Sequence, residues 1–288
     1  TRNHAGVPFT SEHVSTGDIV NAGPGIFFAT VFSDLPATNP LWRTTDGGRT
    51  WSAVPAPGLE GPFGLIADPG VEGTLYARSR QGFARTQDGG ESWTPLTRPP
   101  FECASGGLAI APSSPPSARV LYAAGAAPLG SSCSFSLPQV FRSSDGGASW
   151  VDISARAEFA GHFAVPIAVD PLDANVVYVA TRSFSIGGLS GLWKSVDGGA
   201  TWTKAGALPS RVNDLVIPPI PGRVYAAVDA GGASSPGIFR SDDGGATWRR
   251  WHEGIVAIRI LNLTLDPGDP SRLYAATEGG VWMLKEVD

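Results

Sequence analysis

Five copies of one short segment constrain this chain more than any other feature of its sequence. Each copy has a hydroxyl residue, an acid two positions later, then two glycines, and it ends in tryptophan. The acids of successive copies lie 42 to 57 residues apart, a period typical of β-propeller blades. We call each copy a box, and the boxes occupy residues 44–51, 86–93, 143–150, 195–202 and 241–248.

A second repeat alternates with the boxes. Each of the five tyrosines stands in a short apolar run such as Leu75-Tyr76-Ala77, and Phe28 marks an earlier copy. Apolar stretches that end in Asp-Pro precede several of these runs, and proline is typical of a strand end because it lacks an N–H donor. Short apolar runs separated by regular turn signals predict an all-β chain with four strands, A to D, in each repeat.

Six tyrosine-type runs predict a six-bladed β-propeller of four-stranded antiparallel blades, with residues 1–288 as one domain. The sixth repeat has strands A, B and C but no box. We expect residues 18–22 to form strand A of the first blade. We expect residues 7–10 to supply the missing outer strand of the last blade, so that an N-terminal strand closes it.

The pattern Ser/Thr-x-Asp-Gly-Gly-x-Ser/Thr-Trp resembles the Asp-box, also called the bacterial neuraminidase repeat. That family includes sialidases, xyloglucan-cleaving glycoside hydrolases, the sortilin luminal domain and a photosystem II assembly factor. With its Asp-Pro and Leu-Tyr-Ala runs, the chain is most similar to the xyloglucanase and sortilin branch and to secreted bacterial Asp-box proteins. Sialidase activity is disfavoured, because no Phe-Arg-Ile-Pro-like motif is present and each tyrosine belongs to the strand repeat.

We expect the boxes to be structural. An aspartate in a tight turn accepts backbone N–H bonds, paired glycines supply positive φ angles, and a tryptophan buries a large surface between sheets. The aspartates are Asp46, Asp88, Asp145, Asp197 and Asp243, and the tryptophans are Trp51, Trp93, Trp150, Trp202 and Trp248.

The candidate ligand site lies at the opposite end of the blades, where the connections 33–40, 125–139, 182–190 and 229–236 are long and variable. Arginine gives bidentate contacts to carboxylate or sulfate, and Trp251 offers a stacking face. The alternative is a solvated rim whose arginines pair with Asp18, Asp214 or Asp229. The candidate residues are Arg78, Arg182, Arg211, Arg259, His162, Trp251, His252 and Glu253.

Composition narrows the function classes. The net charge of −5 gives no basic surface for nucleic acid, and no apolar run is long enough to span a membrane. The histidines show no metal-ligand spacing, and no motif predicts a cofactor. We therefore expect a non-catalytic recognition or assembly module for a glycan or protein partner, acting as a monomer or as a subunit of an extracytoplasmic assembly. The alternative is an Asp-box glycoside hydrolase, xyloglucanase-like or sialidase-like, that uses two carboxylates.

The two cysteines bear on location. Cys103 precedes the third blade and Cys133 falls in that blade's long B–C connection, so both are expected at the same end of one blade. A disulfide between them implies a secreted or periplasmic protein. The alternative is two separate thiols in a cytosolic protein.

Overall fold

The chain was studied as a computed structural model. The structure describes residues 15–32, 41–55, 64–79, 82–101, 104–129, 132–154, 159, 163–182, 191–209, 211–229, 236–251, 259–266 and 268–285. Within these ranges, side chains are not described for residues 15–17, 31–32, 104–106, 127–129, 132–136, 163–165 and 182. The described residues contain 23 strands, a 3-10 turn at Pro116–Ala118 and no α-helix.

Two sheets lie in the first of two compact units, which comprises Thr1–Pro99 and Asp145–Ser149. Both are antiparallel meanders whose four strands follow chain order. Blade 1 contains β1 (Ser15–Gly23), β2 (Ile26–Phe32), β3 (Leu41–Thr44) and β4 (Ser52–Val54). Blade 2 contains β5 (Gly64–Ala67), β6 (Leu75–Arg78), β7 (Phe83–Thr86) and β8 (Thr94–Leu96).

Four sheets lie in the second unit, which comprises Pro100–Ser144 and Trp150–Asp288. Blade 3 contains β9 (Ala104–Ile110), β10 (Leu121–Leu129), β11 (Ser132–Ser143) and β12 (Val151–Asp152). Blade 4 contains β13 (Phe163–Val169), β14 (Val177–Arg182), β15 (Gly191–Ser195) and β16 (Thr203–Lys204). Blade 5 contains β17 (Val212–Val216), β18 (Val224–Val228), β19 (Gly237–Ser241) and β20 (Arg249–Arg250). Blade 6 contains β21 (Ile260–Asp266), β22 (Asp269–Thr277) and β23 (Gly280–Lys285).

The chain is a six-bladed β-propeller, which confirms the fold class predicted from the repeats. In all six blades the tyrosine-type run forms the second strand, and in blades 1 to 5 the box follows the third. The outer strand predicted for blade 6, residues 7–10, lies outside the described residues. That residues 1–288 form a single domain stays a prediction.

The segment 125–139 is an exception to the expected loops. It was predicted as a long connection, but β10 and β11 continue through most of it as a hairpin, with Gly125 opposite Gln139 and Pro128 opposite Ser136. Antiparallel pairing is made by backbone N–H and C=O groups, which small and hydroxyl residues supply as well as large apolar ones do. The loop-like composition of this segment therefore did not exclude strand.

Blades 1, 3, 4 and 5 each bury one face against the following blade of the same unit. In blade 5, Ile238 of β19 is fully buried and belongs to the same apolar cluster as Leu263 and Leu273 of blade 6. A blade cannot bury such a residue by itself, because the neighbouring sheet supplies the other wall. The same strand position holds Leu41 in blade 1, Val140 in blade 3 and Leu192 in blade 4, each within a cluster that includes the following blade.

The boxes make the turns between the third and fourth strands. In blade 4, Asp197 Oδ1 accepts the backbone N–H of Thr201 at 2.9 Å and the Ser195 hydroxyl at 2.7 Å, while Oδ2 accepts the Thr201 hydroxyl at 2.6 Å. Gly198 and Gly199 have φ angles of 72° and 94°, which favour glycine. The carboxylates of Asp46, Asp88, Asp145 and Asp243 accept the matching backbone and hydroxyl donors of their own boxes.

The hydrogen bonds of the box hold its carboxylate in the ionised form. Bonds from the Thr201 side chain and backbone, and from Ser195, lower the pKa of Asp197 to about 2. The corresponding donors in the fifth box, led by the Thr247 hydroxyl, lower the pKa of Asp243 to about 2. The ionised state of both groups is therefore favoured by the folded chain.

The variant Asp197→Asn tests this contribution. Because the pKa of Asp197 is lower in the folded chain than in the unfolded one, its stabilisation is complete above about pH 4 and is lost as the pH falls towards 2. The stability deficit of the variant should therefore be largest at neutral pH and shrink below pH 4, as measured by urea denaturation at a series of pH values. A deficit that is constant from pH 7 to pH 2 would contradict this account of the box.

Candidate functional site

Two arginines and two acids lie at the loop end of blades 5 and 6 in equivalent places. Arg211 and Arg259 immediately precede the inner strands β17 and β21, and Asp229 and Glu278 immediately follow the second strands β18 and β22. The backbone N–H of Asp229 donates to the carbonyl of Arg211 at 2.9 Å, and that of Glu278 to the carbonyl of Arg259 at 3.3 Å. The repeat itself therefore places each acid opposite an arginine.

Their side chains form a network across the two blades. Both guanidinium groups reach one carboxylate oxygen, Asp229 Oδ2, from Arg211 Nη2 at 2.8 Å and from Arg259 Nε at 3.4 Å. Arg259 Nη1 lies 4.0 Å from Glu278 Oε1. The Asp229 side chain is 14% exposed, whereas those of Arg259 and Glu278 are 47% and 60% exposed. The largely buried Asp229 thus holds two guanidinium groups, and that of Arg259 also faces solvent.

A small cavity opens beside this network, between blades 4 and 5. Its volume is about 100 Å³. Thr181 and Lys204 are its polar lining residues from blade 4, and Val212, which follows Arg211, forms part of the blade 5 wall. The remaining lining is apolar or backbone, from Gly191, Leu192, Gly206, Ala207 and Leu208.

Trp251 is half-buried and takes part in the apolar packing between blades 5 and 6. Its ring lies 4.9 Å from that of Tyr225, centroid to centroid, within the cluster between blades 5 and 6. Its backbone N–H donates to the carbonyl of Ile238 at 2.9 Å, as those of Ile153 and Ala205 do to the third strands of blades 3 and 4. This packing uses part of the indole, and the predicted stacking role of Trp251 stays a prediction.

The sequence contains a signal for the packing of Trp251. Trp251 stands three residues after the tryptophan of its box, and the residue at that place is apolar after all five boxes. The others are Val54, Leu96, Ile153 and Ala205. A position that is apolar in every repeat indicates core packing.

Arg78 lies in the first unit and is largely buried. Its guanidinium covers Gly64, where an added methyl group would collide with it. Burial lowers the pKa of Arg78 to about 10, and the charge of Asp18 acts in the opposite direction. Arg78 is therefore packed inside the first unit. Arg211 and Arg259 lie in the second unit, where they share Asp229. The remaining predicted site residues, His162, His252, Glu253 and the side chain of Arg182, lie outside the described residues.

Asp18 and Asp214 connect inner strands of successive blades, a role that the sequence did not reveal. Asp18 Oδ2 accepts the backbone N–H of Leu65 in blade 2 at 2.9 Å. Asp214 Oδ2 accepts that of Leu263 in blade 6 at 2.8 Å. Three acids were suggested as partners for the rim arginines. One of them, Asp229, pairs directly with Arg211 and Arg259. Asp18 acts on Arg78 through its charge, and Asp214 holds backbone.

The remaining predictions concern the two cysteines, metal binding and membrane spans. Cys103 and the side chain of Cys133 lie outside the described residues, so the disulfide and the secreted or periplasmic location stay predictions. No cluster of three metal-ligating side chains is found among the described residues. In the same residues, no helix is long and apolar enough to cross a membrane.

Comparison with known proteins places this geometry among propellers. No family model matches the chain. A xyloglucanase of Hypocrea jecorina (strain QM6a) is 37% identical over 70 residues, which are 23% of this chain and 8% of that enzyme. The GH74 xyloglucanase of Xanthomonas campestris has a TM-score of 0.67 at 17% identity, over 90% of this chain and 43% of that one. The GH74 enzyme of Niastella koreensis has a TM-score of 0.60 at 21% identity, over 81% and 36%.

A further solved structure, of YCF48 bound to D1 peptide, has a TM-score of 0.61 at 18% identity and covers 92% of this chain and 77% of that one. These likenesses establish the fold. The chain spans less than half of the two GH74 enzymes, so their activity does not transfer to it directly.

The variant Trp251→Ala tests the contribution of the packing of Trp251 to stability. Removing a half-buried indole that packs on Tyr225 should lower the free energy of unfolding by roughly 3 kcal/mol, and Trp251→Phe should recover most of the loss. Urea denaturation measures both. Unchanged stability together with lost ligand retention would instead support Trp251 as a stacking residue.

Proposed function

We propose that this chain is an Asp-box propeller that recognises a glycan or protein partner through the loop end of blades 5 and 6, without cleaving it. The observation that supports this most is the pair of guanidinium groups held on Asp229. Ion pairs on a protein surface contribute little to stability, so two arginines that share a single carboxylate are not explained by folding alone. Guanidinium groups fixed in this way are suited to a ligand with carboxylate or other oxygen-rich groups.

The exposures of the network indicate how a ligand would bind. Arg259 already lies close to Glu278, but at 4.0 Å and with both side chains about half exposed, this pair is weak. A ligand carboxylate can replace Glu278 on Arg259 while Asp229 continues to orient both arginines. The adjoining cavity, with Lys204 and Thr181, extends the same surface towards blade 4.

The comparisons fit both partner classes named in the proposal. One structural neighbour is described with a bound peptide, and another is a xyloglucanase. A propeller of this fold thus accommodates peptide in one protein and serves glycan chemistry in another. The half-exposed guanidinium group of Arg259 favours acidic members of either class.

The double variant Arg211→Gln/Arg259→Gln tests the proposal. It should lose at least about tenfold in affinity for an acidic ligand, because each charge-assisted hydrogen bond contributes about 1.5–3 kcal/mol. Retention on polygalacturonate, neutral xyloglucan and poly-glutamate columns measures the effect.

The matched control is Arg272→Gln. Arg272 lies at the other end of blade 6, is 40% exposed and also pairs with two acids, Asp266 and Asp269. This variant should bind as the native chain does. Equal retention of all three proteins on every column would contradict the proposed binding face.

Glycoside hydrolysis is the second candidate, favoured by the stretch of 37% identity to a xyloglucanase. Hydrolysis requires two carboxyl groups about 5 to 10 Å apart across the scissile bond, one of them with a raised pKa. Incubation with xyloglucan, followed by assay of both retained polysaccharide and new reducing ends, separates the two functions. Retention without product supports recognition, whereas product that is absent from a heat-denatured control supports hydrolysis.

A further inference from the structure

The residue three positions before each box aspartate is basic in all five boxes, and in the earlier blades it reaches towards the box of the next blade. In the first unit, Arg43 Nη1 lies 2.6 Å from Glu91 Oε1 in the box of blade 2. In the second unit, Lys194 Nζ donates to the carbonyl of Gly244 in the box of blade 5 at 3.0 Å. Arg142 of blade 3 lies against Gly198 in the box of blade 4. The base at this position therefore has a common structural role.

Blade 5 departs from this rule because blade 6 has no box. Arg240 occupies the same position, but its Nε donates to Asp242 Oδ1, in its own box, at 2.8 Å. The residue equivalent to Asp242 is uncharged in the other boxes, where it is Thr45, Gln87, Ser144 and Val196. The charge at Asp242 therefore accompanies a base that has no following box to contact.

Two more arginines approach the same carboxylate. Arg223, in the turn before β18, places its Nε 2.6 Å from Asp242 Oδ1, and Arg249 of β20 places its Nη2 3.4 Å from Oδ2. The side chains of Arg223 and Arg240 are 14% exposed, whereas that of Arg249 is 61% exposed. Three guanidinium groups, one of them well exposed, thus meet at one carboxylate that is itself partly exposed.

We propose that Arg223, Arg240 and Arg249 form a binding site for a tetrahedral oxyanion, a sulfate or phosphate group, at the box end of blade 5. The site lies at the opposite end of the blade from Arg211 and Asp229, so it is separate from the proposed recognition face. The three guanidinium groups come from three elements of blade 5: the turn before β18, the third strand β19 and the outer strand β20. A planar carboxylate such as Asp242 presents its oxygens in one plane, whereas a sulfate or phosphate ester presents three terminal oxygens that can meet all three donors.

Asp242 has a defined part in this site. It orients the two largely buried arginines in the absence of a ligand, and its negative charge opposes an incoming anion. The contact of Arg249 with Asp242 is long and exposed, so this arginine can turn to a ligand at small cost. Removing the charge of Asp242 should therefore strengthen anion binding, and removing the charge of Arg249 should weaken it. A purely structural salt-bridge network predicts no effect on anion binding from either change.

The experiment measures binding of dextran sulfate, neutral dextran and carboxymethyl dextran to the native chain and to three variants at matched ionic strength. Arg249→Gln should weaken dextran sulfate binding about tenfold, and Asp242→Asn should strengthen it. Arg49→Gln changes an exposed arginine in the box of blade 1 and should have no effect. Thermal melting of each variant establishes that it is folded.

Competition by inorganic sulfate or phosphate identifies the source of the anion. Displacement of dextran sulfate by millimolar free ion, lost in Arg249→Gln, assigns the site to free or terminal oxyanions. Resistance to the free ion, with the same response to the variants, assigns it to a sulfated or phosphorylated polymer. Equal binding of carboxymethyl dextran, no change in Arg249→Gln, or weaker binding in Asp242→Asn would each overturn the proposal.

Discussion

The packing of one blade against the next is the interaction on which the described structure depends. A sheet of four short strands exposes two faces, and the residue opposite the alanine-rich part of the second strand needs a wall from outside its own sheet. Ile238 has that wall because Leu263 and Leu273 belong to the following blade. Asp214 Oδ2, on the inner strand of blade 5, accepts the backbone N–H of Leu263 at 2.8 Å and so connects the same two sheets. Apolar burial and a polar contact thus act together here, and also between blades 1 and 2, where Asp18 Oδ2 accepts the backbone N–H of Leu65.

The boxes contribute to these junctions as well as to their own turns. Trp202 is buried, and its Nε1 donates to the carbonyl of Ile153 in the preceding blade at 2.9 Å. Tyr178 and Lys194 of blade 4 both donate to the carbonyl of Gly244 in the next box. One box therefore contacts its own turn, the blade before it and the base that this blade provides. This explains why the acid, the glycines, the tryptophan and the preceding base recur together in the sequence.

The sequence could predict the fold because every blade repeats the same burial pattern. The box and the tyrosine run mark the third and second strands wherever they occur, and these elements are present in the structure as predicted. The hairpin of β10 and β11 could not be predicted in the same way, because residues 125–139 have no counterpart in the other blades. Backbone pairing there depends on the partner strand and not on a side-chain pattern.

The candidate site was predictable in part for the same reason. Arg211 and Arg259 lie at one repeat position, so their common geometry with Asp229 and Glu278 follows from alignment of blades 5 and 6. The packing of Trp251 on Tyr225 was not predicted, because Trp251 was compared with other tryptophans instead of with Ile153 and Ala205, which share its position. The contacts of Asp18 and Asp214 with the next inner strand depend on a distance between sheets, which a single sequence does not encode.

The two proposed binding sites are departures from the repeat. A residue that recurs at its position in most blades has a structural explanation in the junction between blades. A charged residue that occurs at that position in one blade does not share this explanation. Asp242 is such a residue, and the pair Arg211 and Arg259 is another departure, since it is confined to blades 5 and 6 among the described residues. Both departures lie in the part of the chain where the regular succession of boxes ends. We therefore expect substitutions of these groups to change binding while the packing of the blades remains intact.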